Sequence, residues 1–519
     1  MPSRYDNDHW RSSGHMSKGL LTLLKVLQKL FNAGRTAYIW NENLAANKAI
    51  AEGATSGKLE EASLGTLQDL ERLGMVGGET GFLLGFREDR EVRLPQDYHI
   101  AIIGPAGFQK TQTIVNTNIF IAFLGGESLI IFDFKKRELI RATAAGLEML
   151  TGEKPLIFAP YSADNDVVIN PFQSLIDAVK RGEPVVDETR ARIQVFFAEA
   201  MKKAGQNEWI PKSARIITEA LAVARAHLDP DALTPGGMYD FATAGFDQVA
   251  DFFAVASEHE DIAGGYVAAA AHSFLNTYKE DDQREFRWIM QAMAEAFQLF
   301  APGSRLRAAT EKTTVDIASF RKKPRVLFFE IPDRQLLAAG PFLGAVLDYA
   351  VETAAYADGP HRLSIIAEEF AALPFNENVV KWARTYRSLG IRLVTVVQDR
   401  SGYSKFKSMG GHKPFLENSV TLTFGITDSQ HLRDLEARAG KRSVLVETNS
   451  TSLGISVPGR MYGGVEQLTP VLPASEIARI GLGKALMEIP GEPLFILDRK
   501  PWWEMPELAP YIRDTRFDS

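Results

Sequence analysis

The sequence predicts an α/β protein in which a doubly wound, mainly parallel sheet is interrupted by an all-α domain and then completed. Three observations carry that expectation. Between residues 99 and 160 the chain reads strand, glycine loop, helix, strand, helix, strand. From about residue 180 to 310 the apolar spacing is almost entirely helical. From residue 325 onward, short apolar runs rich in β-branched residues return, as in strands buried on both faces.

Taken in order, the chain opens with a polar stretch, residues 1–16, that reads as unstructured, and then "LLTLLKVLQKLF". Leu20, Leu23, Leu24, Leu27, Leu30 and Phe31 fall on one helical face, opposite Lys18, Thr22, Lys25 and Lys29. Such a basic amphipathic helix either packs on its own domain or lies against an anionic membrane or a partner. Residues 35–75, rich in Ala, Glu and Leu, read as further helices. "GFLLGF" and "REVRLPQDYHIAIIG" alternate as strands around a turn at "REDR". "QTIVNTNIFIAFLG" is helical, "SLIIFDF" a strand, "ELIRATAAGLEMLTG" a helix closed by Gly152, and "KPLIFAP" a strand. The helical stretch includes "ETRARIQVFFAEAMKKAG" and "EFRWIMQAMAEAFQLF". "RVLFFEIP", "RLSIIAEEF", "IRLVTVVQ", "VTLTFGI" and "LMEIPGEPLFILDR" supply the later strands.

Composition narrows the class. With 45% hydrophobic and 24% charged residues, the 519-residue chain can bury a substantial core. A net charge of -7 excludes a surface coated in basic charge, though not a local basic channel. The absence of cysteine excludes disulfides and thiolate metal sites. No apolar run reaches the roughly 18 to 20 residues that span a bilayer.

Two segments carry chemistry. "IIGPAGFQKT" places Gly104, Pro105, Ala106, Gly107, Phe108, Gln109, Lys110 and Thr111 between a strand and a helix. Loops of this kind turn backbone N–H groups toward phosphate oxygens, with the lysine on the outer phosphates and the hydroxyl on Mg²⁺. The Walker A pattern asks for glycine where this chain has Gln109, and the alternative is a loop that merely caps the helix. In "LSIIAEEF" an apolar strand ends in Glu368-Glu369. A carboxylate there can orient Mg²⁺ and a second can activate the attacking water, which assigns the metal to Thr111 and Glu368 and the base to Glu369. Paired acids also end strands for no catalytic reason.

As an ordered series, these segments resemble the type IV coupling proteins of bacterial conjugation and secretion (the TraG/TraD-like group), relatives of FtsK-type and HerA-type DNA motors. "IIGPAGFQKT" is similar to the family's "GPTGSGKT", and "LIIFDFKKREL" to its "VVVLDPKGELY". "VVINPFQSL", "EWIPKSARIITEAL", "FFEIPD", "IAEEFAAL", "RSLGIRLVTVVQ", "FLENSVTLTFGITDSQ" and "GKALMEIPGEPLFILDRKPWW" follow in family order, so the likeness covers roughly residues 80–510.

The resemblance implies a RecA-like P-loop ATPase that takes ATP and Mg²⁺, forms a homohexameric ring and pumps DNA toward a secretion channel. The implied domains are an N-terminal tail and helical segment (1–75), a RecA-like first part (76–180), an all-α insert (181–309) and a RecA-like second part (310–519). It also implies an arginine finger at Arg387, a γ-phosphate sensor at Gln398, and Asp133 and Lys135 beside the nucleotide or pore, where Lys136-Arg137 replaces the family's Gly-Glu. Arg387 could instead be an ordinary surface arginine and Gln398 a strand cap. DNA phosphates would meet Lys135, Lys136, Arg137 and the "RKKPR" of 321–325, with little base reading. Trp209 reads as a core residue or a pore-facing aromatic. Other implied partners are channel, relaxosome or effector proteins. The protein could stay monomeric until these gather it.

The sequence departs from the family at Gln109, at Glu368 where aspartate is usual, and in lacking transmembrane helices and a long acidic tail. The expected location is therefore the bacterial cytoplasm, with peripheral membrane contact through residues 17–33. A substrate-receptor platform with weak or lost hydrolysis is the alternative to a motor. A small-molecule kinase would have no use for the helical insert or for an arginine acting in trans.

Overall fold

The computed structural model describes residues 22–23, 25–34, 61–94, 98–203, 205–278, 283–373, 377–450 and 461–514. The unstructured reading of 1–16 and the helices expected across 35–60 lie outside these residues. The chain forms two compact units, one of Leu64–Asp434 with Ala474–Ser519 and one of Met1–Ser63 with Leu435–Pro473.

The larger unit is built on an eleven-stranded sheet. Its strands are β1 (Phe82–Arg87), β2 (Arg90–Leu94), β3 (His99–Ile103), β4 (Ser128–Phe132), β5 (Leu156–Phe158), β6 (Val326–Phe329), β7 (Leu363–Ala367), β8 (Ile391–Val397) and β9 (Ser419–Thr423). In the smaller unit β10 (Lys441–Ser450) pairs with β11 (Met461–Pro470), and β12 (Lys484–Glu488) and β13 (Phe495–Asp498) then complete the large sheet. Its order is β2-β1-β13-β12-β9-β3-β8-β7-β4-β6-β5. From β9 to β5 every pairing is parallel, and from β9 out to β2 every pairing is antiparallel.

The strand sequences explain this arrangement. β3, β4, β7 and β8 are apolar at almost every position because helices cover both faces of a parallel sheet. Alternate residues divide between two cores. Ile130 and Phe132 of β4 enter one, and Leu129 and Ile131 the other. The helices Asn116–Leu124 and Glu138–Thr151 contribute to the second core. The first core continues without a break into the helices between β5 and β6. A chain of rings marks the passage: Phe329 to Phe158 at 5.3 Å, Phe158 to Phe342 at 5.9 Å, Phe342 to Phe300 at 5.5 Å and Phe300 to Phe196 at 6.5 Å.

An ion pair is buried at the entry ends of the parallel strands. Arg392 lies 2.6 Å from Glu127, whose other oxygen accepts the Ser364 hydroxyl at 2.5 Å. In the smaller unit, Ala62 donates to the Lys441 carbonyl at 2.9 Å. The sequence predicts no strands there, and β11 carries Gly463 and Gly464, which weaken its strand signal. Its helical residues 25–34 leave Val26, Leu27, Leu30 and Phe31 exposed. Among the described residues, no helix is long and apolar enough to cross a membrane.

Gly146 lies mid-helix under the C-terminal segment, where a Cβ would run into the Tyr511 carbonyl, and Arg513 N–H bonds to Ala142 O at 2.9 Å. Gly146→Ala should therefore destabilise the fold by about 2 kcal/mol despite alanine's higher helix propensity, as urea unfolding would measure.

Candidate functional site

The site follows from strand order. β3 lies between β8 and β9, β7 lies beyond β8, and the chain after β3 next enters the sheet at β4, on the far side of β7. This displacement opens a crevice at the carboxyl ends of the strands, where open α/β sheets bind ligands. The 104–110 loop leaves β3 there, Gln398 follows β8, and Glu368-Glu369 follow β7. Ile103 is registered against Val397, and Gly104 N–H bonds to Val397 O at 3.1 Å, which puts Gln398 beside the loop.

The loop's backbone explains its composition. A Cβ on Gly104 would sit 2.8 Å from the Phe424 ring and 2.9 Å from the Phe424 carbonyl, so only glycine fits. Gly107 has φ +84, and a Cβ added there would meet nothing within 4 Å. Ala106 and Gly107 form the exposed crown. Gln109 has φ +56, the left-handed conformation in which glycine is at ease and other L-residues are strained by roughly 1 kcal/mol or more. The backbone thus keeps the shape the missing glycine would favour. Gln109 O accepts Thr113 N–H at 2.9 Å and the Thr113 hydroxyl at 2.8 Å, and Thr111–Val115 form a π-helical turn, a local widening common at functional sites.

Lys110 turns back onto its own loop, donating to Gly104 O at 2.6 Å and Pro105 O at 3.0 Å. Burial lowers its pKa, opposed by the charges of Glu369 and Glu368. The Thr111 hydroxyl donates to the Glu368 carboxyl. Glu368 is 9% exposed, and burial raises its pKa to about 8, with Glu138 and Asp133 adding to the shift. Asp133, at the end of β4 and 1% exposed, is pushed up to about 7 by burial; one of its oxygens accepts Ile140 N–H at 2.9 Å. Glu369 is half-buried and Gln398 exposed beside this cluster.

Arg387 is elsewhere. It belongs to the turn Tyr386–Leu389 that enters β8, and its guanidinium lies 5.4 Å from the Tyr98 ring, next to the start of β3. The His99 imidazole beside it accepts Leu393 N–H at 3.0 Å and is pushed down to about 4 by burial and by the Arg387 charge. A strand of five to seven residues separates Arg387 from its own loop, roughly 16–23 Å.

The two basic clusters also fall at opposite ends of the strands. Residues 321–325 precede β6, whereas 135–137 follow the parallel β4. Several of these charges are already engaged: Arg137 with Asp164 at 2.5 Å, Lys135 with Glu138 at 3.4 Å and Lys323 with Glu153 at 2.5 Å. Lys136 and Arg137 have φ +51 and +62, so the left-handed turn persists without the family's glycine. Trp209 is 39% exposed and meets Trp288 edge-on at 6.3 Å.

Arg499, Thr113 and Phe424 also surround the loop, and no motif in the sequence marks them. A lone arginine after the last strand carries no periodic or motif signal.

Residues 60–504 match the family described as Type IV secretory system Conjugative DNA transfer. This chain belongs to that conjugative DNA transfer family. Among solved structures, the bacterial conjugative coupling protein TrwB, in its unbound TrwBdeltaN70 form, matches with TM-score 0.59 and 15% identity over 85% of this chain and 93% of that one. TrwB in complex with a non-hydrolysable ATP analogue, ADPNP, and TrwB in complex with ADP and Mg²⁺ each match with TM-score 0.58, 14% identity and coverage of 85% and 94%. The conjugative transfer chain therefore has the RecA-like fold expected of it. No curated protein sequence matches.

Because the Glu368 pKa is raised in the folded state, its protonated form is the favoured one, and stability is lost as pH rises from the ordinary carboxylate range through about 8. Glu368→Gln should raise the Tm of the metal-free protein at pH 8 and flatten its fall between pH 5 and 8, as thermal scans would record. At position 109, Gln109→Gly should be neutral or stabilising by up to about 1 kcal/mol, and the β-branched Gln109→Val destabilising by about 1–2 kcal/mol in urea unfolding.

Proposed function

We propose that this chain is an ATP-driven DNA translocase that couples DNA, or a nucleoprotein, to a type IV secretion channel. The observation that carries the reading is the meeting of the β3 loop, the β7 carboxylates and Gln398 at one end of the sheet, with Thr111 bonded to Glu368. Gly107 is open to a phosphate, and the Thr111 hydroxyl and Glu368 carboxyl bracket the place of a divalent ion. Mg²⁺ generally takes one or two protein oxygens, with phosphate and water completing its shell. Among the described residues, no group of three or more His, Cys, Asp or Glu could hold a metal alone, which suits an ion that arrives with a nucleotide. Bound Mg²⁺ would neutralise charge on the outer phosphates.

The protein's own groups divide the remaining work. Backbone N–H groups of Gly107–Thr111 orient the phosphates, and Lys110 exchanges its loop carbonyls for them. Glu369 takes the proton of the attacking water, and Gln398 reads the γ-phosphate. The nucleotide-bound forms of TrwB agree with this reading. Arg387, at the far end of the strands, suits a finger that enters a neighbouring subunit's site, since it stays charged and cannot reach its own. That role calls for a ring of copies, and the likeness to the coupling proteins suggests a homohexamer. Lys136 and the 321–325 segment would contact DNA phosphates, and the exposed Val26, Leu27, Leu30 and Phe31 would meet a membrane surface or a channel protein.

A second reading, a substrate receptor with little hydrolysis, draws on Gln109 and on the engagement of Lys110 with Gly104 and Pro105. Mg-ATP turnover with and without DNA, with Glu369→Gln as the blank, separates the two. DNA-stimulated turnover that disappears in the blank supports the motor; no turnover at concentrations where a ring forms supports the receptor. Lys110→Ala should abolish nucleotide binding with the fold intact. Arg387→Ala should bind normally and lose turnover by about 10³-fold. Mixing these two variants should restore part of the rate, and no restoration would refute an arginine acting in trans.

A further inference from the structure

A buried cation lies beneath the phosphate loop. Arg499, the first residue after β13, is 5% exposed, and no carboxylate is among its hydrogen-bond partners. Burial pulls its pKa down to about 10. Leaving such a charge without an acid is costly, so its remaining contacts must hold it. They do so densely. The guanidinium donates to Lys484 O at 3.1 Å, Leu482 O, Phe108 O at 3.1 Å and the Thr113 hydroxyl at 3.0 Å, and its carbon lies 3.8 Å from the Phe424 ring centroid.

These partners bracket Gln109. Phe108 O lies immediately before it, and the Thr113 hydroxyl accepts from Arg499 while donating to Gln109 O at 2.8 Å. A relay therefore runs from Arg499 through Thr113 to the backbone of the strained residue. The same end of the chain grips the turn a second time, where the Trp502 indole N–H donates to Gln112 at 2.6 Å. Lysine at 499 could not reproduce this, because an ammonium lacks the planar fork that reaches several acceptors at once.

We infer that Arg499 is a positioning residue that holds Gln109 in the left-handed conformation and so replaces, by a tertiary contact, the glycine this loop lacks. Its charge, whose partners are carbonyls, a hydroxyl and a ring, also adds to the loop's attraction for an anion. The effect on affinity rests on the proposed nucleotide site, whereas the effect on the loop rests on geometry alone.

The test is a double-mutant cycle between positions 499 and 109, read by hydrogen exchange of the Gly104–Asn116 segment and by binding of ADP with Mg²⁺. Arg499→Lys should speed exchange in that segment about tenfold, leave β8 unchanged and weaken ADP about tenfold. Thr113→Val, which cuts the relay without emptying the site, should act in the same direction. In a Gln109→Gly background, Arg499→Lys should change exchange by less than about twofold, because glycine needs no support in that conformation. An equal effect in both backgrounds, or faster exchange throughout the sheet, would overturn the inference in favour of general structural support. If the wild type fails to bind ADP, the nucleotide reading falls, and the exchange cycle still decides the role of Arg499.

Discussion

The hydrogen bond between the Thr111 hydroxyl and the buried Glu368 carboxyl joins segments 257 residues apart, and the candidate site depends on it. It can form only because β8 separates β3 from β7 and all three run parallel, so that their carboxyl ends open on one crevice. Its low-polarity surroundings favour the protonated form of Glu368, and a cation placed beside it would favour the carboxylate.

Around that bond the loop is held by parts of the chain that come long after it. Phe424, beyond β9, excludes every side chain but glycine's at position 104, and Phe108 lies against Gly425. Arg499, beyond β13, fills the floor. The strain of Gln109 is tolerable in that setting because its neighbours on both sides are tied down. Side chains that enter left-handed backbone usually persist where surrounding structure over-determines them.

The sheet also separates two kinds of surface. Its carboxyl ends gather the loop, the carboxyl groups of Asp133, Glu368 and Glu369 and the basic 135–137 segment, while its amino ends gather Arg362, Arg387 and Arg392, with Glu127 neutralising the last. Arg387 is exposed, cradled by Tyr98 and a neutral His99. In the proposed ring, a head-to-tail arrangement of copies would bring the two ends of the sheet together.

Much of this was legible in the sequence. Strand apolarity, helical spacing and turn residues marked each strand of the large sheet, because those signals are local and repeat at two or 3.6 residues. "GPAGFQKT" and "AEEF" stood out as candidate positions because phosphate and metal binding demand particular residues at short spacing. Sequence could not say that Gln109 would keep a glycine's backbone angle, since the contacts that hold it there come from Thr113 and Arg499. Nor could it reveal that the helical insert shares its core with one face of the sheet through Phe158, Phe342 and Phe300. The order of residues determined which elements form and which groups they carry. Only the packing of distant strands decided which groups meet, because proximity in a parallel sheet is set by crossovers that no local pattern records.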